Sequence, residues 1–593
     1  MTDYKPEVDL DKKKLEESEQ QDIVTWVDTK LGSYSDARFR FERNWYVADN
    51  FWDGNHFVWW RKSTGTIDRI QPPKGTVLRQ VPKLKKQFEA MANLIMANDP
   101  RWVAYPDEMS EEADDNTDQV ARRRRMWLEN VWDDENMKGK CVDAVLTALK
   151  FPYSAFEVST DPVNRKQHVF VWEPFDIYWK PDVVDIDDSP CIIKCVARRP
   201  DEVKANPAYD IPDDMEFALE NRFSYSDLKE MRQMEKFGAF PASQDNTGIL
   251  KECYFWDYDE VTNERKMRLV TTYGGHLIRN VVLPLTRYPF APLKLQAGAY
   301  FQQSYLESLI PTNKSIDLIV SNIETFFHTM TRGKWLKHKN ATVSRITNEN
   351  GDFIEYDIDK PEQVPLSSIP NYVFVHLANL EKWIEERTVS SSTTGRAPRG
   401  IRAYKAIESL KQADFANMGS PITFLEETLE RVAELVSEQA DIYMDQPQVV
   451  KRLKQEQPDY FKVIGASNYS EDMGEDVIPI SKNTKIDVQI ESGLSYTEEG
   501  KRQTMLELFQ LGLMPPEEVL RVFRFSNVGE LLAKAQANKQ VSMIDTPDFQ
   551  ALPDQMKMAI LKALQQLNVN IPTVPPGTNR VTRNRGPNAS SGQ

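Results

Sequence analysis

Residues 301–444 constrain this chain more than any other part of it. They read as an apolar-striped helix, a hairpin, a second helix, a Ser/Thr/Gly loop and then more helix. Tyr305, Leu309, Thr312, Ile316, Ile319, Ile323, Phe326 and Met330 recur at alternating spacings of four and three. That seven-residue rhythm predicts a helix that packs along its whole length, with Ile316, Ile319, Ile323, Phe326 and Met330 as its packing residues. Pro311 can open or kink such a helix. From 311 to 330 it would be roughly 30 Å long at the usual rise. Gly333 stops it. The segments 334–346 and 353–358 flank Asn350-Gly351, a strong hairpin signal, and Lys334, Lys337, Lys339 and Arg345 make this module locally basic. Helix resumes over 377–387. The run SSSTTGRAPRG at 390–400 favours a loop, with Arg396 and Arg399 inside it and Arg402 beside it. Long striped helices separated by a projecting hairpin suit the lining of a tube built from many copies better than a catalytic pocket.

The rest of the chain reads as two or more lobes, since 593 residues exceed one ordinary core. Residues 1–21 are polar and predict a mobile arm. A helical pattern follows through Ile23, Trp26, Val27 and Leu31, and Gly32 is expected to interrupt it. A second helix then carries Phe41, Trp45, Ala48 and Trp52 on one face, with Gly54 at its end. Another helix is expected over 81–98. Residues 151–283 turn mostly to strands, including a hairpin at Gly274-Gly275. Ser420-Pro421 predicts an N-cap and first helical position, ahead of an inner stripe of Ile422, Leu425, Leu429, Val432 and Val436. Residues 486–490 alternate as a strand, and 573–593 have the composition of a disordered tail.

Catalytic constellations are missing from the sequence. It has no GxxxxGK[ST] loop, no GxGxxG after a strand and no HExxH, and its six histidines are scattered. Cys191 and Cys195 share one face of an expected strand, but no second ligand pair completes a metal site, so buried thiols are expected. No enzyme, cofactor or metal is expected, and no apolar run of about 18 residues offers a membrane span. The formal net charge of −16 argues against wrapping DNA by neutralising phosphates, yet it allows a wall that surrounds DNA without gripping it.

Three passages taken in order resemble the portal (head-to-tail connector) family of tailed bacteriophages. They are ARFRFERNWYVADNFWDGNHFVW; SYLESLIPTNKSIDLIVSNIETFF with the basic hairpin module after it; and KIDVQIESGLSYTEEGKRQTMLELFQLGLMPPEEVL. The size is most similar to portals of short-tailed phages. The resemblance implies an α+β, helix-rich ring subunit, about twelve copies in a cyclic homo-oligomer, at one capsid vertex of a virion assembled in the host cytoplasm. It implies a flexible arm (1–21), a mixed α/β wing (22–300), a stem helix (301–332), a clip (333–371) and a second stem helix (372–389). A tunnel loop (390–400), a return to the wing (401–500), a crown (501–572) and the tail (573–593) would complete the chain. Implied partners are double-stranded DNA in the channel, the major capsid protein, scaffolding protein, the terminase large subunit and adaptor or tail proteins. Arg396, Arg399 and Arg402 would line the constriction, and Lys334, Lys337, Lys339 and Arg345 would meet DNA, terminase or an adaptor. The alternative is another virion ring, such as a head–tail adaptor or tail protein.

Overall fold

The computed structural model describes residues 17–61, 66–72, 76–98, 100–106, 115–161, 164–211, 248–259, 264–331, 335–336, 362–363, 369–390, 413–451, 460–470, 477–480 and 484–489. They form a mixed α+β unit.

Helix α1 (Glu17–Trp52) is continuous. The interruption expected at Gly32 does not occur, and 17–21, expected in a mobile arm, belong to the helix. A mid-helix glycine costs about 1 kcal/mol relative to alanine. Tertiary burial on both sides of Gly32 outweighs that: Val24, Val27 and Tyr34 are buried near it, and Trp45, Ala48 and Phe51 further on. Gly54 ends the helix as expected, with φ +92°. The Asn55 N–H donates to Asn50 O (2.9 Å) and the Gly54 N–H to Phe51 O (3.1 Å). These are the two bonds of a Schellman motif, which needs a left-handed residue at the first position past the helix.

A hairpin of β1 (Val58–Arg61) and β2 (Thr66–Arg69) follows, then α2 (Lys83–Ile95) and β3 (Arg101–Pro106). Leu84, Phe88, Met91 and Ile95 of α2 are buried, as their spacing requires. Helix α3 (Asp115–Asp134) carries the run Arg122–Arg125 around its circumference, so only Arg124 turns inward. Burial pushes the Arg124 guanidinium down to about 10, and Asp441 and Glu434 oppose that shift.

Helix α4 (Met137–Lys150) leads to β4 (Ser154–Thr160), β5 (Gln167–Trp172), β6 (Ile177–Tyr178), β7 (Cys191–Arg198) and a short α5 (Pro200–Ala205). After it come β8 (Gly248–Asp259), β9 (Glu264–Tyr273), β10 (His276–Leu283) and β11 (Phe290–Leu293). One sheet is antiparallel in the order β10-β9-β8-β7-β6, and a second runs β11-β4-β5. The β9–β10 turn is Gly274-Gly275 with φ +56° and +80°. Two consecutive positive φ values define the tight hairpin turn that matches strand twist.

The N-terminal half of α1 lies on the five-stranded sheet, packing Val27 and Tyr34 against Cys191, Ile193, Cys195, Cys253 and Val270. All four cysteines are buried and free. Cys191 and Cys195 share the inner face as expected. No group of His, Cys, Asp or Glu among the described residues could hold a metal ion. The C-terminal half of α1 adds Trp45 and Tyr46 to a larger aromatic core with Phe151, Tyr153, Phe175, Trp179 and Phe301.

Two buried cations organise this core. Arg38 is fully buried, paired with Glu42, and donates to the carbonyls of Pro174, Phe175 and Ile177 at 2.8–3.0 Å. Its guanidinium lies 3.4 Å from the Tyr178 ring centroid. Lys194 of β7 bonds Glu157 of β4 (2.6 Å) and Glu252 of β8 (2.5 Å), so it ties the two sheets together. Trp172 Nε1 satisfies the other Glu157 oxygen at 2.6 Å.

The chain continues through α6 (Tyr305–Thr331), β12 (Trp335–Leu336), β13 (Glu362–Gln363), α7 (Asn371–Arg387) and α8 (Gly419–Tyr443). Helix α8 runs through the middle of the unit, and Ile422, Leu425, Leu429, Val432 and Val436 are all buried. Its start differs from expectation. The Ile422 N–H bonds Met418 O (3.1 Å), so Ser420 and Pro421 lie inside the first turn and no side chain caps it. The proline is harmless there because first-turn N–H groups have no helical partner. The unit ends with β14 (Gln448–Lys451), β15 (Tyr460–Gly465), β16 (Val477–Ile480) and β17 (Thr484–Gln489). Strand β17 pairs antiparallel with β3 and buries Ile486 and Val488.

Candidate functional site

The sequence directs attention to the α6–α7 helical pair. Helix α6 opens on a capping box. The Ser304 hydroxyl accepts the Glu307 N–H at 3.1 Å, and the Glu307 carboxylate accepts the Ser304 backbone N–H in return. Burial pushes the Glu307 carboxyl up to about 7, against hydrogen bonds from Asn44 and Ser304. A carboxyl whose folded pKa exceeds its unfolded value near 4.5 stabilises the fold below that value. The benefit is lost as pH rises towards 7. Glu307→Gln keeps the capping box, so it is expected to raise stability at pH 8 by about 2 kcal/mol and to change little at pH 4. Urea midpoints across that range measure it, and an equal effect at both ends would refute the assignment.

Pro311 lies inside α6, not at its start. It removes the bond to the Glu307 carbonyl, and Ser315 Oγ donates back to Pro311 O at 3.1 Å. Beyond it the helix departs from the expected stripe. Ile316 is buried, but Ile319, Ile323 and Phe326 are half-buried, and nothing is described of the Met330 side chain. The two deepest-buried positions beyond the proline are polar, Asn313 and Asp317, and Ser321 is buried with them.

Those polar residues hold an extended segment, 76–82, along the helix. Val81 N–H donates to Asp317 Oδ1 (2.7 Å), Arg79 N–H to Ser321 Oγ (2.9 Å) and Val77 N–H to Thr325 Oγ1 (3.0 Å). Asn313 Nδ2 donates to Val81 O at 3.2 Å. The periods match: four helical residues rise about 6.0 Å, and two extended residues span about 6.6 Å. Asp317 is fully buried and also bonds His56 Nδ1 at 2.6 Å, while the His56 ring stacks on Phe51. Charge adds to the ladder, through Arg79 with Glu324 (3.7 Å) and Lys83 of α2 with Glu381 of α7 (3.1 Å).

Helix α7 turns Val373, Leu377, Leu380 and Ile384 inward, of which Leu380 and Ile384 are buried. Its other faces carry exposed Tyr372, Phe374, Val375 and Trp383, and α6 exposes Leu318 and Phe327. Each of these six side chains is 45–73% exposed. These large apolar groups lie on more than one side of the pair, since Leu318 and Phe327 are about half a turn apart around α6, and water covers each of them poorly.

The chain leaves and re-enters this pair at two necks. β12 and β13 pair antiparallel, Trp335 with Gln363 and Leu336 with Glu362. After α7, the Ser390 N–H and hydroxyl both donate to Asp414 Oδ2 (3.0 and 2.6 Å). Residue 336 thus lies beside 362, and 390 beside 414. Lys334, Lys337, Lys339, Arg345, Arg396, Arg399 and Arg402 lie outside the described residues, as do the regions 501–572 and 573–593. Elsewhere, Trp60 stacks on Tyr46, and Asp257 pairs with Arg268 (2.9 Å). No helix among the described residues is long and apolar enough to cross a membrane. No protein-family model matches the chain, and no curated protein matches it in sequence.

Proposed function

We propose that this chain is the subunit of a portal ring, the channel for double-stranded DNA at one vertex of a phage capsid. In this reading about twelve copies close into a cyclic homo-oligomer. The sheets and α1 form the wing, α6 and α7 the stem, the excursion between β12 and β13 the clip, and the excursion between Ser390 and Asp414 the tunnel loop. Arg396, Arg399 and Arg402 form basic belts at the constriction. Lys334, Lys337, Lys339 and Arg345 contact DNA, terminase or an adaptor. The net charge of −16 keeps the rest of the wall from gripping the genome. Capsid, scaffolding, terminase and tail or adaptor proteins are its partners, and it catalyses nothing.

The observation that carries this reading is the set of exposed apolar side chains on the helical pair, pointing to more than one side as contacts to two ring neighbours would require: Leu318, Phe327, Tyr372, Phe374, Val375 and Trp383. A lone subunit cannot cover it, whereas neighbours in a ring can. A heterologous contact between two different faces closes when the rotation between copies divides a full turn. Negative-stain class averages of the purified chain are expected to show rings with a central hole. Trp383→Glu with Tyr372→Glu is expected to shift the population to monomers. Monodisperse wild-type monomers at tens of micromolar would overturn the proposal.

A further inference from the structure

We infer that α6 contains a hinge at Pro311 and that the segment 76–82 is a tie that holds it shut. The first observation is the hinge. Pro311 removes one helical hydrogen bond seven residues into a 27-residue helix. Ser315 bonds back to the Pro311 carbonyl at 3.1 Å, an arrangement that bends helices. The second observation is where the ladder falls. Its rungs, Asn313, Asp317, Ser321 and Thr325, begin two residues beyond the proline and cover the next three turns. The tie thus grips only the part of α6 that a bend at Pro311 would move. Arg79 with Glu324 and Lys83 with Glu381 extend the grip to the outer charges of both helices.

The tie is selective for shape, not for sequence. Its rungs use the backbone of 77, 79 and 81, while the side chains on α6 supply the partners. Rung strength is graded: Asp317 is fully buried, and Thr325 is partly exposed. The outer rungs can open while the Asp317 rung, clamped by His56 at 2.6 Å, keeps the register. The outcome is a helical pair whose tilt is set by how many rungs are closed. This inference stands independently of the ring, because its parts all lie in one subunit.

Spin labels at Ser33→Cys on α1 and Asn322→Cys on α6 test it, since both sites are exposed and the native cysteines are buried. Labelled chain is diluted into excess unlabelled chain, so that only distances within one subunit are read. The unmodified ladder is expected to give one narrow distance distribution. Thr325→Val with Ser321→Ala is expected to broaden it by about 3 Å, less than the roughly 6 Å swing of an 11-residue helical arm through a free 20° bend, because the Asn313 and Asp317 rungs still resist. Adding Pro311→Ala is expected to narrow it again. Thr325→Val alone, a near-isosteric change, should give a smaller broadening and guards against a misfolded double variant. An unchanged distribution in the rung variants overturns the tie, and broadening that Pro311→Ala does not reverse overturns the hinge.

Discussion

Arg38→Ala is expected to lower the stability of the unit by about 4 kcal/mol, a large share of the roughly 5–15 kcal/mol that holds a typical domain together. Arg38 is wholly buried, and its guanidinium serves three carbonyls and the Glu42 carboxylate at once. Removing it leaves Glu42, itself 4% exposed, without its cation and strands the carbonyls of Pro174, Phe175 and Ile177. Broken buried pairs cost more than made ones gain, because the remaining charge keeps its full desolvation penalty. Arg38→Lys should recover only part of the loss, since an ammonium cannot reproduce the planar fork. Urea unfolding of both variants measures this. A loss below about 1 kcal/mol for the alanine variant would mean that water replaces the guanidinium and the core is looser than its packing indicates.

Lys194→Met is expected to cost about 3–5 kcal/mol at pH 8 and distinctly less at pH 4.5. The lysine is the cation shared by Glu157 and Glu252 across two sheets. Burial already pushes the Glu157 carboxyl above the ordinary carboxylate range, with Lys194 holding it back. Without the lysine the folded state favours protonated Glu157 still more. A carboxyl raised in the folded state keeps its stabilising proton below its unfolded pKa and loses it as pH rises. The gap between variant and wild type should therefore widen from pH 4.5 to 8. A constant gap would show that the lysine acts through packing alone. The double variant Lys194→Met with Glu157→Gln should recover much of the loss at pH 8.

Local elements were legible wherever one physical signal dominated. The glycine with positive φ at 54, the Gly274-Gly275 turn and the buried stripe of α8 follow from backbone sterics and helical periodicity. The reading failed where burial outvoted a local preference. Gly32 reads as a break, yet a long helix anchored by Val27 and Tyr34 on one sheet and Trp45 on another core carries it through. The largest miss was on α6. Its apolar rhythm was visible, but Asn313, Asp317, Ser321 and Thr325 also recur at a strict spacing of four, which is the signature of a polar stripe. Nothing local says that such a stripe faces inward, because its partner is the backbone of residues more than 230 positions earlier in the chain.

The sequence alone determined most helices and strands among the described residues, the turns at Gly54 and Gly274-Gly275, and that two helices flank an insert that begins with a basic stretch at 334–346. Those features depend on contacts a few residues long, and backbone sterics and periodicity act at that range. The tertiary structure decided which polar groups are buried: Arg38 beneath a loop, Lys194 between two sheets, and Asp317 against His56 and the 76–82 segment. It also decided which apolar groups stay outside, on the α6–α7 pair. A side chain's desolvation depends on everything packed around it, so it is fixed only when distant parts of the chain meet.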